Sequence, residues 1–239
     1  AIAKNIPIIG EIEFASWFSN ADVLAITGSN GKSTTCMMLH NILLDAGYNS
    51  LLGGNIGIAF SDNVLKEIDL SLEDCVHVVE LSSFQIETLK KFKSKISCVL
   101  NISEDHLDRY GSMNDYVRSK LKIIDFSDIV IYDSNDTILK EKMRNLPHSK
   151  EVNSSNSLYR ISNNYIYSEK ESMFSLDEIN FIGSHNLLNA LNACTIAGLY
   201  GVQKKNIVKS MKKIKALPHR LEFVDKIRSI KFYNDSKST

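Results

Sequence analysis

The chain has 239 residues, 44% hydrophobic and 23% charged, with 28 basic against 28 acidic side chains. That composition suits a globular protein with a sizeable core. Its zero net charge argues against nucleic acid or an anionic membrane surface as a partner, and no apolar run is long enough to span a bilayer. Four scattered cysteines, Cys36, Cys75, Cys98 and Cys194, each sit in an apolar run and form no C-x-x-C pair. They read as reduced core residues of a cytoplasmic protein. The chain starts at Ala1 without Met, which reads as a processed protein or a fragment.

In chain order, Ile6–Gly10 is a stray apolar run and Glu11–Ser19 a short helix carrying Phe14, Trp17 and Phe18. A strand over Val23–Thr27 then leads into Thr27-Gly28-Ser29-Asn30-Gly31-Lys32-Ser33-Thr34, and helical spacing follows over Ser33–Ala46, stopped by Gly47. Strand, glycine turn and helix is the setting of a phosphate-binding loop. Gly28 and Gly31 allow backbone N–H groups to close on phosphate oxygens, and the helix start adds its positive dipole end. Lys32 reaches the β- and γ-phosphates, and the Ser33 hydroxyl suits Mg²⁺. Ile26 stands where the strict phosphate-loop pattern has its first glycine. The loop nonetheless reads as a nucleoside triphosphate site.

Next come a short strand Ser50–Leu52, a turn Gly53–Gly57, a strand Cys75–Leu81, a helix Phe84–Leu89 and a strand Ile96–Asn101. A helix Met113–Phe126 is introduced by Ser112 with Asp115 three positions on, a capping pattern. A strand Ile129–Tyr132 and a helix Asp136–Leu146 follow. This alternation predicts an α/β fold, a mainly parallel sheet of P-loop type flanked by helices, with ligands beyond the carboxyl ends of the strands. Residues 150–182 turn Ser/Asn-rich and β-prone, predicting a small antiparallel excursion over Leu158–Ile161, Tyr165–Tyr167 and Met173–Leu176. Helices Asn186–Tyr200 and Lys204–Ile214 precede a hairpin of Leu221–Val224 and Ile230–Tyr233.

Several strand ends carry chemistry. Glu80 follows one strand and either ligates a metal across from the phosphate loop or caps the next helix. The loop Glu104-Asp105-His106-Leu107-Asp108-Arg109 either supplies a metal or phosphate ligand, His106 foremost, or is a solvated charged loop. On the helix from Met113, positions 117, 121 and 124 define the apolar face, and Lys120 beside it reads from periodicity as a snorkelling surface lysine. His185, Asn186 and Asn189 share one helix face, where the amides suit a nucleotide or simply cap the helix.

Eight ordered segments, T-G-S-N-G-K-S-T, G-G-N-I-G, E-L-S-S-F-Q-I-E, N-I-S-E-D-H-L-D-R-Y, Y-V-R-S-K-L-K-I, G-S-H-N-L-L-N-A, L-P-H-R and N-D-S-K-S-T, resemble the Mur ligases of peptidoglycan precursor synthesis, in their D-glutamate-adding branch. The missing first glycine is normal for that superfamily. The resemblance implies ATP and Mg²⁺ chemistry, with Gly28, Ser29, Asn30, Gly31, Lys32, Ser33, Thr34, Asn186, Asn189, Arg220 and Asp235 at the nucleotide. It implies Ser33, Glu80, His106 and Lys120 at the metals, Lys120 as a carbamylated lysine, and Lys32, Lys120, His106 and Glu80 as the catalytic set. Asn55, Ser82 and Gln85 would lie along the muramoyl substrate, with Lys237 and Thr239 toward D-glutamate. The implied division is 1–10 as the remnant of a UDP-binding domain, 11–217 as the central ATPase and 218–239 as the opening of a Rossmann-like domain. The implied substrates are UDP-N-acetylmuramoyl-L-alanine and D-glutamate, handled by a cytoplasmic monomer. A folylpolyglutamate synthase-like ligase and a nucleotide-binding module without catalysis are the competing readings.

Overall fold

In a computed structural model, the structure describes residue 4, residues 6–105, 107–179, 184–214 and 222–234, and residue 236. A six-stranded sheet of β1 (Asp22–Thr27), β2 (Asn49–Gly54), β3 (Cys75–Glu80), β4 (Ser94–Val99), β5 (Ser127–Asp133) and β6 (Ser149–Val152) runs in the order β2-β3-β1-β4-β5-β6. Every pairing in it is parallel. The chain builds outward from β1 on one side and then on the other, so the order reverses beside β1. That switch point is where an open parallel sheet leaves a crevice for ligand.

Strand alternation sends neighbouring residues to opposite faces, and both faces are covered. Leu24 and Ile26 of β1 face a core built with α2 (Lys32–Asp45), α8 (Ser184–Leu199) and α9 (Lys204–Met211). Val23 and Ala25 face a second core with α1 (Glu11–Ser16), α3 (Phe60–Asp69), α4 (Ser83–Glu87), α6 (Met113–Leu121) and α7 (Thr137–Met143). A single-turn α5 (Leu107–Tyr110) precedes α6, and Lys122–Phe126 continues α6 as a 3₁₀ segment, so the helix read as reaching Phe126 changes geometry at Lys122. Ser112 does cap α6, accepting from the Asp115 N–H.

The expected antiparallel excursion is a three-stranded sheet, β7 (Tyr159–Ser162), β8 (Tyr165–Ser168) and β9 (Glu171–Ser175), which adds Tyr159, Ile166 and Phe174 to the α2–α8 core. Residues 150–152, read as part of that excursion, instead belong to the parallel edge strand β6. The helix α3, not among the elements expected from the sequence, has Phe60, Val64 and Ile68 at helical spacing, yet it buries Phe60, Asn63, Val64 and Glu67, half of them polar, and leaves Leu65 and Ile68 exposed. The final hairpin pairs β10 (Glu222–Ile227) with β11 (Ile230–Asn234), and its turn is only Arg228-Ser229, both at positive φ. Cys36, Cys98 and Cys194 are buried as expected, whereas Cys75 is half-buried; all four are free thiols.

Candidate functional site

The loop after β1 lies between the carboxyl ends of β3 and β4, the two strands paired with β1. Gly28 (φ +150°) passes so close to β4 that a Cβ there would lie 2.9 Å from that of Leu100. Gly31 (φ +82°) is the left-handed residue before α2, and a Cβ on it would lie 2.2 Å from Asn189 Oδ1. No other residue fits both demands. The loop is fixed by Asn101: its carbonyl accepts from the Ser29 N–H (3.0 Å), its Oδ1 from the Asn30 N–H (2.9 Å), and its Nδ2 donates to the Asn30 carbonyl (3.1 Å). With those two amides committed, a phosphate would be cradled by the first turn of α2, whose N–H groups have no acceptor within the helix.

Two lysines converge on the loop. Lys32 Nζ donates to the carbonyls of Gly28 (2.9 Å) and Ser29 (2.8 Å), and Lys120 Nζ donates to the same Gly28 carbonyl (3.0 Å). Lys120 is 2% exposed, which corrects its reading as a surface lysine. The apolar face expected at 117, 121 and 124 does pack on the second core, with Val117 buried and Leu121 and Ile124 half-buried, but the buried face of α6 also takes in Tyr116 and Lys120. Burial first, then the neighbouring Lys32 ammonium, lowers the Lys120 pKa to about 7, against a smaller opposing pull from Asp105.

Glu80, at the end of β3, is 2% exposed, so it is neither a surface residue nor a helix cap; Ser82 caps α4. Its Oε1 accepts from Asn55 Nδ2 (2.9 Å), and the Asn55 N–H donates to the Glu80 carbonyl (2.9 Å). Its Oε2 is buried with no hydrogen-bond partner. A carboxylate oxygen in that position is costly unless a cation meets it, so Glu80 has the chemistry of a Mg²⁺ ligand; Ser33 at the start of α2 is half-buried.

Asn189 Nδ2 donates to Asn186 Oδ1 (3.1 Å), and Thr35 Oγ1 donates to Asn189 Oδ1 (3.4 Å), so these amides brace the loop from behind. His185 is exposed and does not share their buried face. Ser82 and Gln85 form a capping box: the Ser82 N–H donates to Gln85 Oε1 (2.9 Å), and Ser82 Oγ accepts from the Gln85 N–H (3.2 Å). Glu104, Asp108 and Arg109 are exposed, in keeping with a solvated loop, while Asp105 is half-buried and acts on Lys120. His106, Arg220, Asp235, Lys237 and Thr239 lie outside the described residues.

Residue-type reasoning passed over Asn101, Ser103 and Tyr116, which hold the loop. Asn101 stood at a strand end, the one signal that marked it. Among the described residues, a second donor cluster, Glu67, Cys75 and His77, lies around the amino end of β3, away from Glu80. The Glu67 carboxylate accepts from Ser19 Oγ (2.6 Å) and the Asn20 N–H (3.1 Å) and pairs with His77 Nε2 (2.8 Å). Saturated in this way, it ties the segment before β1 to α3 and β3.

Residues 26–197 match the family model of the Mur ligase middle domain. A UDP-N-acetylmuramoylalanine–D-glutamate ligase of Caldicellulosiruptor bescii is 39% identical over 99% of this chain and 54% of its own length. One of Thermoanaerobacter sp. is 40% identical, again over 99% and 54%. The chain therefore spans about half the length of these curated relatives. Among solved structures, MurF from Acinetobacter baumannii superimposes with a TM-score of 0.72 at 21% identity, covering 94% of this chain and 53% of that one. MurF ligase from Thermotoga maritima in complex with ADP gives 0.71 at 16% identity, covering 94% and 55%. At these identities the superpositions establish the fold alone.

Proposed function

The chain belongs to the Mur ligase family, whose middle domain it carries, and from this we propose that its protein is an ATP-dependent ligase adding D-glutamate to UDP-N-acetylmuramoyl-L-alanine in peptidoglycan precursor synthesis. The observation that carries the reading is the buried, unpartnered Glu80 Oε2 at the strand end next to the phosphate loop. The relatives at 39% and 40% identity, which bear the name of that ligase, support the choice of acceptor and amino acid.

On this reading residues 11–217 form the nucleotide domain of a cytoplasmic monomer. The first turn of α2 and Lys32 take the ATP phosphates; Lys32 moves its ammonium from the Gly28 and Ser29 carbonyls to the β- and γ-oxygens. Ser33 and Glu80 hold Mg²⁺, which neutralises phosphate charge when bound. His106 serves a second metal, and Asn186, Asn189, Arg220 and Asp235 serve the nucleotide. Asn55, Ser82 and Gln85 serve the muramoyl substrate, with Lys237 and Thr239 toward D-glutamate. Asn55 and the Ser82–Gln85 box also shape the Glu80 end of the sheet, so their backbone placement matters as much as their side chains.

The terminal carboxylate of UDP-N-acetylmuramoyl-L-alanine attacks the γ-phosphorus, giving an acyl phosphate and ADP. The D-glutamate amine then attacks the acyl carbon, and inorganic phosphate leaves as the amide forms. Lys120 with its lowered pKa has neutral amine to react with CO₂ near neutral pH, and the resulting carbamate would replace a cation beside the metal with an anion.

The test is ADP release by the full-length protein. It should require UDP-N-acetylmuramoyl-L-alanine and D-glutamate together for amide formation, and should not occur with dihydropteroate and L-glutamate. ADP release with the folate pair alone would overturn the reading.

A further inference from the structure

Tyr116 is fully buried on α6, and its two ends touch different parts of the site. Its hydroxyl lies 2.9 Å from Ser29 Oγ in the phosphate loop. Ser29 Oγ also lies 3.0 Å from the Ser103 carbonyl and accepts from the Ser103 N–H at 3.0 Å. A serine hydroxyl has a single hydrogen. The Ser103 carbonyl can only accept, so it takes that hydrogen, and Tyr116 must be the donor to Ser29. Burial raises the phenol's pKa, which keeps this proton in place. The tyrosine ring lies 4.8 Å from Lys120 Nζ, one helical turn further along α6.

We infer that Tyr116 is a positioning residue, which registers the phosphate loop at Ser29 against the loop beginning at Ser103 while its ring seats Lys120. The inference rests on the nucleotide site proposed above. A tyrosine that merely filled the core would be replaced by phenylalanine without effect on ligand, since the ring and its packing remain. The registering role needs the hydroxyl and needs Ser29 to receive it.

A double-mutant cycle on the full-length protein separates the two, read as the dissociation constant of Mg²⁺–AMP-PNP by calorimetry. Tyr116→Phe should weaken binding about fivefold, the worth of one hydrogen bond. In a Ser29→Ala background the same change should have no further effect. Unchanged affinity in Tyr116→Phe, or the same weakening in both backgrounds, overturns the inference and leaves the functional reading standing. A wild-type protein that binds no Mg²⁺–AMP-PNP overturns the functional reading itself.

Discussion

Lys120 shows how a single residue's chemistry is set by what surrounds it. Its ammonium has one backbone acceptor, an aromatic ring and a second lysine nearby, with almost no water. In the full-length enzyme Lys120→Ala should lower turnover by about a hundredfold or more, the usual scale for removing a preorganised charged group. Added acetate should recover part of it by restoring an anion, and undiminished turnover would refute the assignment. The same residue sets a pH dependence. Its pKa falls from 10.5 to about 7 on folding, so between those values the unfolded chain binds more protons than the folded one. Stability from this group therefore rises with pH from about 7 toward 10.5. Lys120→Met should flatten that slope in urea titrations across the range. Gly31→Ala tests the loop itself: a left-handed φ and an approach of 2.2 Å to Asn189 Oδ1 leave no room for a methyl. It should cost about 1–3 kcal/mol of stability and abolish nucleotide binding; unchanged binding would show that the loop tolerates a different path.

Among the elements, α1 is held by one buried carboxylate. Glu13 accepts from the N–H groups of Lys90, Lys91 and Phe92 and from Trp17 Nε1. Burial alone would raise its pKa, but these bonds together hold it below the ordinary 4.5. Glu13→Ala would strand three main-chain donors and should cost about 3 kcal/mol in urea unfolding. The contribution is present above pH 4.5 and is lost as pH falls through the depressed folded value. An acid limb identical in wild type and Glu13→Gln would show that the carboxylate contributes no such term. The helix α6 has a comparable part in the site, since one face of a nine-residue helix presents both Tyr116 and Lys120 to the phosphate loop.

For the whole molecule, the order β2-β3-β1-β4-β5-β6 brings three strand ends to one place. Glu80 and Val99 lie 53 and 72 residues beyond Thr27 in sequence, yet the three strand ends lie side by side because β1 pairs with both β3 and β4. Every described part of the proposed nucleotide cradle lies on one sheet, the loops after β1 and β4, and the helices α2, α6 and α8 around them. The 239-residue chain, which spans about half of its relatives, should accordingly bind Mg²⁺–ATP while forming no amide from UDP-N-acetylmuramoyl-L-alanine and D-glutamate. Calorimetry and an amide-product assay check the two halves separately; efficient amide formation by this chain would place the acceptor and amino-acid sites within it.

The phosphate loop and the parallel sheet were legible in the sequence because both rest on local rules. Gly28 and Gly31 are dictated by backbone geometry within a few residues, and strands buried on both faces, such as β1, declare themselves as unbroken apolar runs. The helix α3 was missed although Phe60, Val64 and Ile68 stand at helical spacing; what the sequence could not show is that Asn63 and Glu67 are buried beside Phe60 and Val64, the carboxylate satisfied by Ser19, Asn20 and His77. The edge strand β6 was not legible, because exposure on one side leaves a short strand no apolar signature. For Lys120 the periodicity of its own helix pointed outward; only the packing of α6 against the loop decided that a charged tip would be buried. The depressed Lys120 pKa and the donor direction of Tyr116 depend on neighbours 88 and 87 residues away in sequence, and the solitary Glu80 oxygen on the burial of the end of β3. Local geometry decides what a stretch of chain becomes, but the energy of a charge depends on whatever the tertiary fold places beside it.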